Sequence, residues 1–173
     1  LFVGAPGYDN NRGRVYMYEW GIGADGSTYD TWTQNLTLES ADPGRSKRFG
    51  YAIESNDNGD ILVVSSVAPG QAGKVEIYIR NSQANDGSTY TLQQTITAPE
   101  SKSNMKFGTS VDLNDTGTRV VIGAEQASTP REMKIDSGET TFDLQDTTFV
   151  DLNAGSGAAY TATMYNTHFV VDD

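Results

Sequence analysis

Phe49-Gly50 opens the stretch FGYAIESNDNGDILVVSSV (residues 49–67), and Phe107-Gly108 opens FGTSVDLNDTGTRVVIGAE (residues 107–125). The two align without a gap at an offset of 58 (107 minus 49). Asn56-Asp57 falls on Asn114-Asp115, Gly59 on Gly117, and the small pair Ser65-Ser66 on Gly123-Ala124. Self-similarity at a fixed period marks a repeat architecture. Within each copy, short apolar runs flank an Asn/Asp/Gly cluster, which reads as two strands joined by a tight turn, since Asn-Gly tolerates the positive φ of short hairpins.

A second register covers the start of the chain. Leu1-Phe2-Val3-Gly4-Ala5-Pro6 matches residues 62–67, and Gly13-Arg14-Val15-Tyr16-Met17-Tyr18 matches Gly73-Lys74-Val75-Glu76-Ile77-Tyr78. The string Asp25-Gly26-Ser27-Thr28-Tyr29 recurs unchanged as Asp86-Gly87-Ser88-Thr89-Tyr90, and residues 32–38 echo residues 92–98. The middle unit then predicts four strands, at about 51–56, 61–67, 74–80 and 91–97. No segment keeps helical spacing over three turns. Four antiparallel strands per unit, in tandem, give an all-β chain of β-propeller blades, each sheet burying its faces on its neighbours. By this reading residues 1–48 are a first blade lacking its first strand, 49–106 a second, and 107–173 a third. Three blades are fewer than the ~4–8 that close a ring, so the expectation is a partial propeller, completed by further blades or by association of copies.

Composition narrows the function classes. The chain of 173 residues has 23 acidic and 12 basic side chains, a net charge of −11. Such a surface disfavours nucleic acid and anionic membranes, whose phosphates need clustered Lys and Arg. No apolar run approaches the ~20 residues of a membrane helix, so membrane insertion is not expected. There is no cysteine and one histidine, His168. That leaves few parts for a zinc site or a His-based triad. Glu54 and Asp112 occupy equivalent positions on the presumed innermost strands. Their repetition argues for a solvated channel lining rather than a catalytic carboxylate pair. Arg45, Lys47 and Arg48 precede one Phe-Gly, and Lys102 and Lys106 the other; this basic rim reads as internal charge balance. The sequons at Asn35 and Asn114 carry meaning only in a secreted eukaryotic protein.

Phe-Gly, an apolar strand, a Gly-containing turn and Val-Gly-Ala-Pro together resemble the FG-GAP repeat of integrin-type propellers. The residues are Phe49, Gly50, Phe107 and Gly108, with Val3-Gly4-Ala5-Pro6, Val64-Ser65-Ser66-Val67 and Ile122-Gly123-Ala124-Glu125. Gly13, Gly73 and Gly157 open the family's Gly-x-Val-Tyr-x-Tyr strand or stand at its place. Integrin-like copies often carry a calcium loop between the first two strands. Here Asn56–Asp60 and Asn114–Gly117 are too short to supply six or more oxygens, so no cofactor is expected and calcium is disfavoured. The short turn is similar to the bacterial and viral branch of the family.

The third copy is interrupted. Gly123 to Gly157 spans 34 residues (157 minus 123), against 9 from Gly4 to Gly13. About 25 residues, roughly 126–153, are therefore inserted. Phe142, Asp143, Phe149 and Asp151 lie in a Thr-rich internal echo there. It reads either as a recognition flap or as a cover for a sheet edge, and surface insertions cost little loop entropy, so it is expected to be dispensable for folding. Repeats with this style of insertion are similar to those of marine bacteriophage virion and tail-fibre proteins. The resemblance implies a non-enzymatic module of an extracellular or virion protein, with other subunits, the remaining blades, or a cell-surface glycan or protein as partner. The alternative is a carbohydrate- or protein-binding accessory module of a secreted enzyme.

Overall fold

The computed structural model describes residues 1–22, 30–81, 89–98, 103–127, 142–143 and 157–164. They form three antiparallel sheets, a partial all-β propeller. The first comprises β1 (Phe2–Ala5), β2 (Arg14–Ile22) and β3 (Asp30–Leu38), in that spatial order. The second runs β4 (Phe49–Ser55), β5 (Ile61–Ser66), β6 (Lys74–Asn81) and β7 (Thr89–Thr97). In the third, β8 (Phe107–Leu113) and β9 (Arg119–Ala124) lie beside β11 (Ala158–Met164), and β10 (Phe142–Asp143) lies outside β11. Tyr8–Asn11 form a single irregular turn with positive φ at Asp9, Asn10 and Asn11.

The hairpin turns form as their sequence dictates. Asn56 Oδ1 accepts the main-chain N–H of Ile61 at 2.9 Å, and Asn114 Oδ1 accepts that of Arg119 at 2.7 Å. Gly59 and Gly117 follow with positive φ of 67° and 72°. Strand β4 begins at Phe49 rather than Tyr51, because Phe49 already pairs with Ser66 before the register slips between Phe49 and Ile53. Strand β8 repeats this slip between Phe107 and Val111. In both strands the residue after the Phe is a glycine with φ above 80°, the backbone freedom that such a bulge demands.

One expected alignment is corrected. Leu38 pairs with Val15 and Ile96 with Val75. Trp32 is therefore the counterpart of Tyr90, opposite Trp20 and Arg80 respectively, so residues 32–38 correspond to residues 90–96. The offset suggested by the repeated Asp-Gly-Ser-Thr-Tyr string does not carry into the fourth strands: Trp20 to Trp32 spans 12 residues (32 minus 20) and Arg80 to Tyr90 spans 10 (90 minus 80), and pairing with the third strand sets the true equivalence.

Each sheet has a leading face, toward the preceding one, and a trailing face. On β5, Leu62 and Val64 lead and pack with Phe49 and Tyr78 against Phe2, Val15 and Leu38 of the first sheet. Val63 trails and packs with Val75, Ile77 and Ile96 against Phe107, Val120, Ile122 and Tyr160 of the third. Period-two alternation thus feeds two separate cores, and β5 is buried on both sides.

The sheets meet through their glycines. A Cβ on Gly13 would stand 2.1 Å from the Phe49 carbonyl oxygen, and one on Gly73 would stand 2.0 Å from that of Phe107. Both glycines hold positive φ, 85° and 91°. At the same points Phe49 N–H donates to Arg12 C=O at 3.1 Å and Phe107 N–H to Ala72 C=O at 2.8 Å. Gly73→Ala combines a strained left-handed backbone with a main-chain clash, together about 3 kcal/mol or more. Gly70→Ala, with φ of 74° but nothing within 4 Å, meets only the strain, about 1 kcal/mol. Thermal melts should therefore show Gly73→Ala falling by roughly 6–12 °C and Gly70→Ala by a few degrees. Equal losses would disprove the contact.

Candidate functional site

The residues singled out by the repeat converge on the two seams between sheets. Phe49 and Phe107 are fully buried. Gly50 lies against Arg14 C=O and Val15, and Gly108 against Ser65 and Lys74 C=O. Gly4 faces Gly50, where a Cβ would stand 2.2 Å from the carbonyl oxygen. Ser65, at the position of Gly4, accepts the Ala52 N–H on its hydroxyl at 2.9 Å. In the third sheet the pair is exchanged: Ser110 stands at the place of Ala52, its hydroxyl filling the space above Gly123. Ala124 is buried in the second seam, whereas Ala5 and Pro6 are half-buried at the end of β1. Gly157 has φ of 95° and stands where Gly13 and Gly73 stand in their sheets.

The segments before each Phe-Gly clamp onto the preceding sheet. Arg48 N–H donates to Asn11 C=O at 2.8 Å, and Asn104 N–H to Gln71 C=O at 2.9 Å. Ser46 and Arg48 have positive φ, as do their counterparts Asn104 and Lys106. Such non-glycine strain persists only where the surroundings impose it. Of the basic rim, Lys47 pairs with Asp42 at 3.5 Å and Lys106 with Glu125 at 2.9 Å.

The seams differ in one respect that repeat matching passed over. Tyr160 stacks edge-to-face on Phe107, centroids 5.3 Å apart. Its register partner is Ile122, counterpart of Val64, which pairs with Glu76. Glu76 therefore takes the tyrosine's place in the second sheet, and Tyr78, two residues on, stacks on Phe49 at 6.2 Å. Glu76 is fully buried. Its Oε1 accepts from Lys74 Nζ and from Ser40 Oγ, each at 3.2 Å, and Lys74 Nζ also donates to Ser40 Oγ at 2.9 Å. Ser40 belongs to the linker from β3 to β4. Glu39 before it pairs with Arg14 and accepts Tyr78 O–H on its carbonyl at 3.4 Å. The linker is thus pinned to both sheets by a buried polar cluster. The signal in the sequence was the break in a Tyr16/Tyr160 pattern at Glu76.

Of the candidate recognition residues, Phe142 and Asp143 are placed by their backbone. They pair with Met164 and Thr163 at the outer edge of the third sheet. This is the register that Tyr90 and Thr91 hold in the second sheet against Arg80 and Ile79. The insertion there fills the slot of a fourth strand. Phe149, Asp151, His168 and Lys102 lie outside the described residues. Glu54 and Asp112 pair with Val63 and Val121 on β4 and β8, the edge strands of their sheets, which contact one another.

Residues 90–139 match the FG-GAP repeat family. The match begins in β7, passes through Phe107-Gly108 and β9, and ends in the insertion. Together with the three sheets it fits an FG-GAP propeller-like fold. Modules of this repeat are generally non-catalytic and typical of extracellular proteins. Among the described residues no helix is long and apolar enough to cross a membrane. No curated protein matches the chain.

Breaking a buried ion pair from one side leaves an uncompensated charge, whereas replacing both partners by apolar groups is often neutral. Lys74→Met alone should cost about 3 kcal/mol in urea unfolding, and adding Glu76→Leu should recover most of it. Additive losses would show that the two side chains act independently.

Burial, reinforced by the Glu76 charge, pushes the Tyr78 hydroxyl well above the usual tyrosine range. The folded state therefore favours the neutral phenol. Its stability contribution is complete below the unfolded value of about 10 and is lost as pH rises from there toward the folded value. In alkaline denaturation Tyr78→Phe should flatten the loss above that point; an unchanged slope would exclude Tyr78 as its source.

Proposed function

We propose that the chain is a non-catalytic propeller segment of a larger extracellular or virion protein, serving structural assembly or adhesion. One observation carries this reading: the residues with distinctive chemistry face the seams. The Phe-Gly pairs, Gly13, Gly73 and the buried Glu76–Lys74–Ser40 cluster all join one sheet to the next. Phe142 and Asp143, set at a sheet edge, favour the edge-covering role for that part of the insertion.

The second reading, a carbohydrate-binding accessory module, is favoured by a different feature. Trp20 and Trp32 are 57% and 50% exposed and stack edge-to-face at 5.3 Å. Exposed aromatic faces are suited to apolar ligand surfaces. A glycan array probed with the 173-residue chain separates the two. Assembly predicts no specific signal. Reproducible glycan binding abolished by Trp20→Ala would overturn it in favour of the accessory module.

A further inference from the structure

The two seams are built by the same repeat, so side chains present at one and absent from the other are not required by the fold. Four of the seven arginines, Arg12, Arg14, Arg45 and Arg48, lie in the turn after β1, at the start of β2 and in the linker before β4. The equivalent segments of the second seam carry Lys74, Lys102 and Lys106 and no arginine. At the offset of 58, Arg45 and Tyr51 fall on Ser103 and Thr109. The turn Tyr8-Asp9-Asn10-Asn11-Arg12 stands where the second sheet has Pro69-Gly70-Gln71-Ala72.

The main chain gathers this group at one rim of the first seam. Ser46 N–H donates to Asn10 C=O at 3.3 Å and Arg48 N–H to Asn11 C=O at 2.8 Å. The linker therefore runs along the turn that carries Tyr8 and Arg12. The Arg14 guanidinium lies over the Tyr8 ring, 3.9 Å from its centroid, and pairs with Glu39. Arg12 pairs with Asp9 at 3.1 Å, and Lys47 with Asp42 at 3.5 Å. Internal charge balance thus accounts for three of the five cations. Among the described residues the side chains of Arg45 and Arg48 have no ion-pair partner. Tyr8 and Tyr51 are 41% and 43% exposed.

Resting on the adhesive side of the reading above, we infer that this rim binds a carboxylated sugar of the uronate class. A guanidinium matches a carboxylate with two parallel hydrogen bonds, whereas an ammonium acts as a point charge. That distinction separates the arginines here from the lysines of the second seam. The tyrosines supply amphipathic rings, suited to the C–H face of a sugar whose hydroxyls stay wet. A backbone already bonded in place lowers the ordering cost of binding. Charge limits the ligand's size. Residues 8–14 and 39–51 carry five basic and three acidic side chains, a net of +2, which leaves −13 (−11 minus 2) on the rest of the chain. That body repels an extended polyanion and tolerates a short glycan end bearing a few carboxylates.

Calorimetric titration of the 173-residue chain with trigalacturonate tests this. Saturable binding that weakens with salt is expected, and none to the carboxyl-reduced neutral trisaccharide. Arg45→Gln and Arg48→Gln should each weaken binding about tenfold, the weight of one charge-assisted contact, with melting temperatures unchanged. Tyr8→Ala should weaken it as well. No binding, equal binding of the neutral sugar, or indifference to both arginine variants would each overturn the inference. Equal binding of triglutamate would overturn the sugar in favour of an acidic protein. A silent titration would sink this site and leave assembly standing. A Trp20-dependent array signal beside intact trigalacturonate binding would sink the assembly reading alone.

Discussion

The structure depends on one close approach, the contact of a glycine α-carbon with the main chain of the phenylalanine in the next sheet. Gly13 meets Phe49 and Gly73 meets Phe107 with no room for a methyl group. Each contact holds the two backbones near enough for a hydrogen bond across the seam. The rings of Phe49 and Phe107 then fall between sheets, where burial of each stabilises by about 1.5–3 kcal/mol. An edge-to-face tyrosine adds roughly another 0.5–1.5 kcal/mol. The bulge at Gly50 and Gly108 follows from the same requirement, since the strand must turn aside once it has delivered the phenylalanine.

Much of this was legible in the sequence because the constraints repeat. A glycine required by a backbone contact cannot drift, so Gly13 and Gly73 kept their place, as did the paired Phe-Gly steps. The turns were legible for a local reason, an Asn side chain bonding its own hairpin. Register of the outer strands was not. The repeated Asp-Gly-Ser-Thr-Tyr string invited an alignment that pairing overturns, because Trp32 rather than Tyr29 answers to Tyr90. Outer strands carry less of the seam and are free to shift relative to any shared motif.

The Glu76 cluster was illegible for another reason. A glutamate in an alternating strand reads as solvent-facing, and only the packing of a second sheet shows that it is buried. Ser40, its partner, lies 36 residues away in a linker without a strong signal. Nor could the sequence set β10 in register with a fourth strand, since a two-residue pairing leaves no periodicity to detect. These features arise from contacts between segments, whereas the repeat arises within them.

The second sheet has both faces buried against described neighbours, and that sets where substitutions can accumulate. A change at Val63 or Val64 strikes a seam shared with another sheet, and since β5 is closed on both sides there is little space into which a larger side chain could relax. A change on the outer half of β3 meets solvent and is absorbed locally. Over many generations variation should collect on β3 and in the connections, while β5 and β6 drift slowly and in step with the sheets they touch.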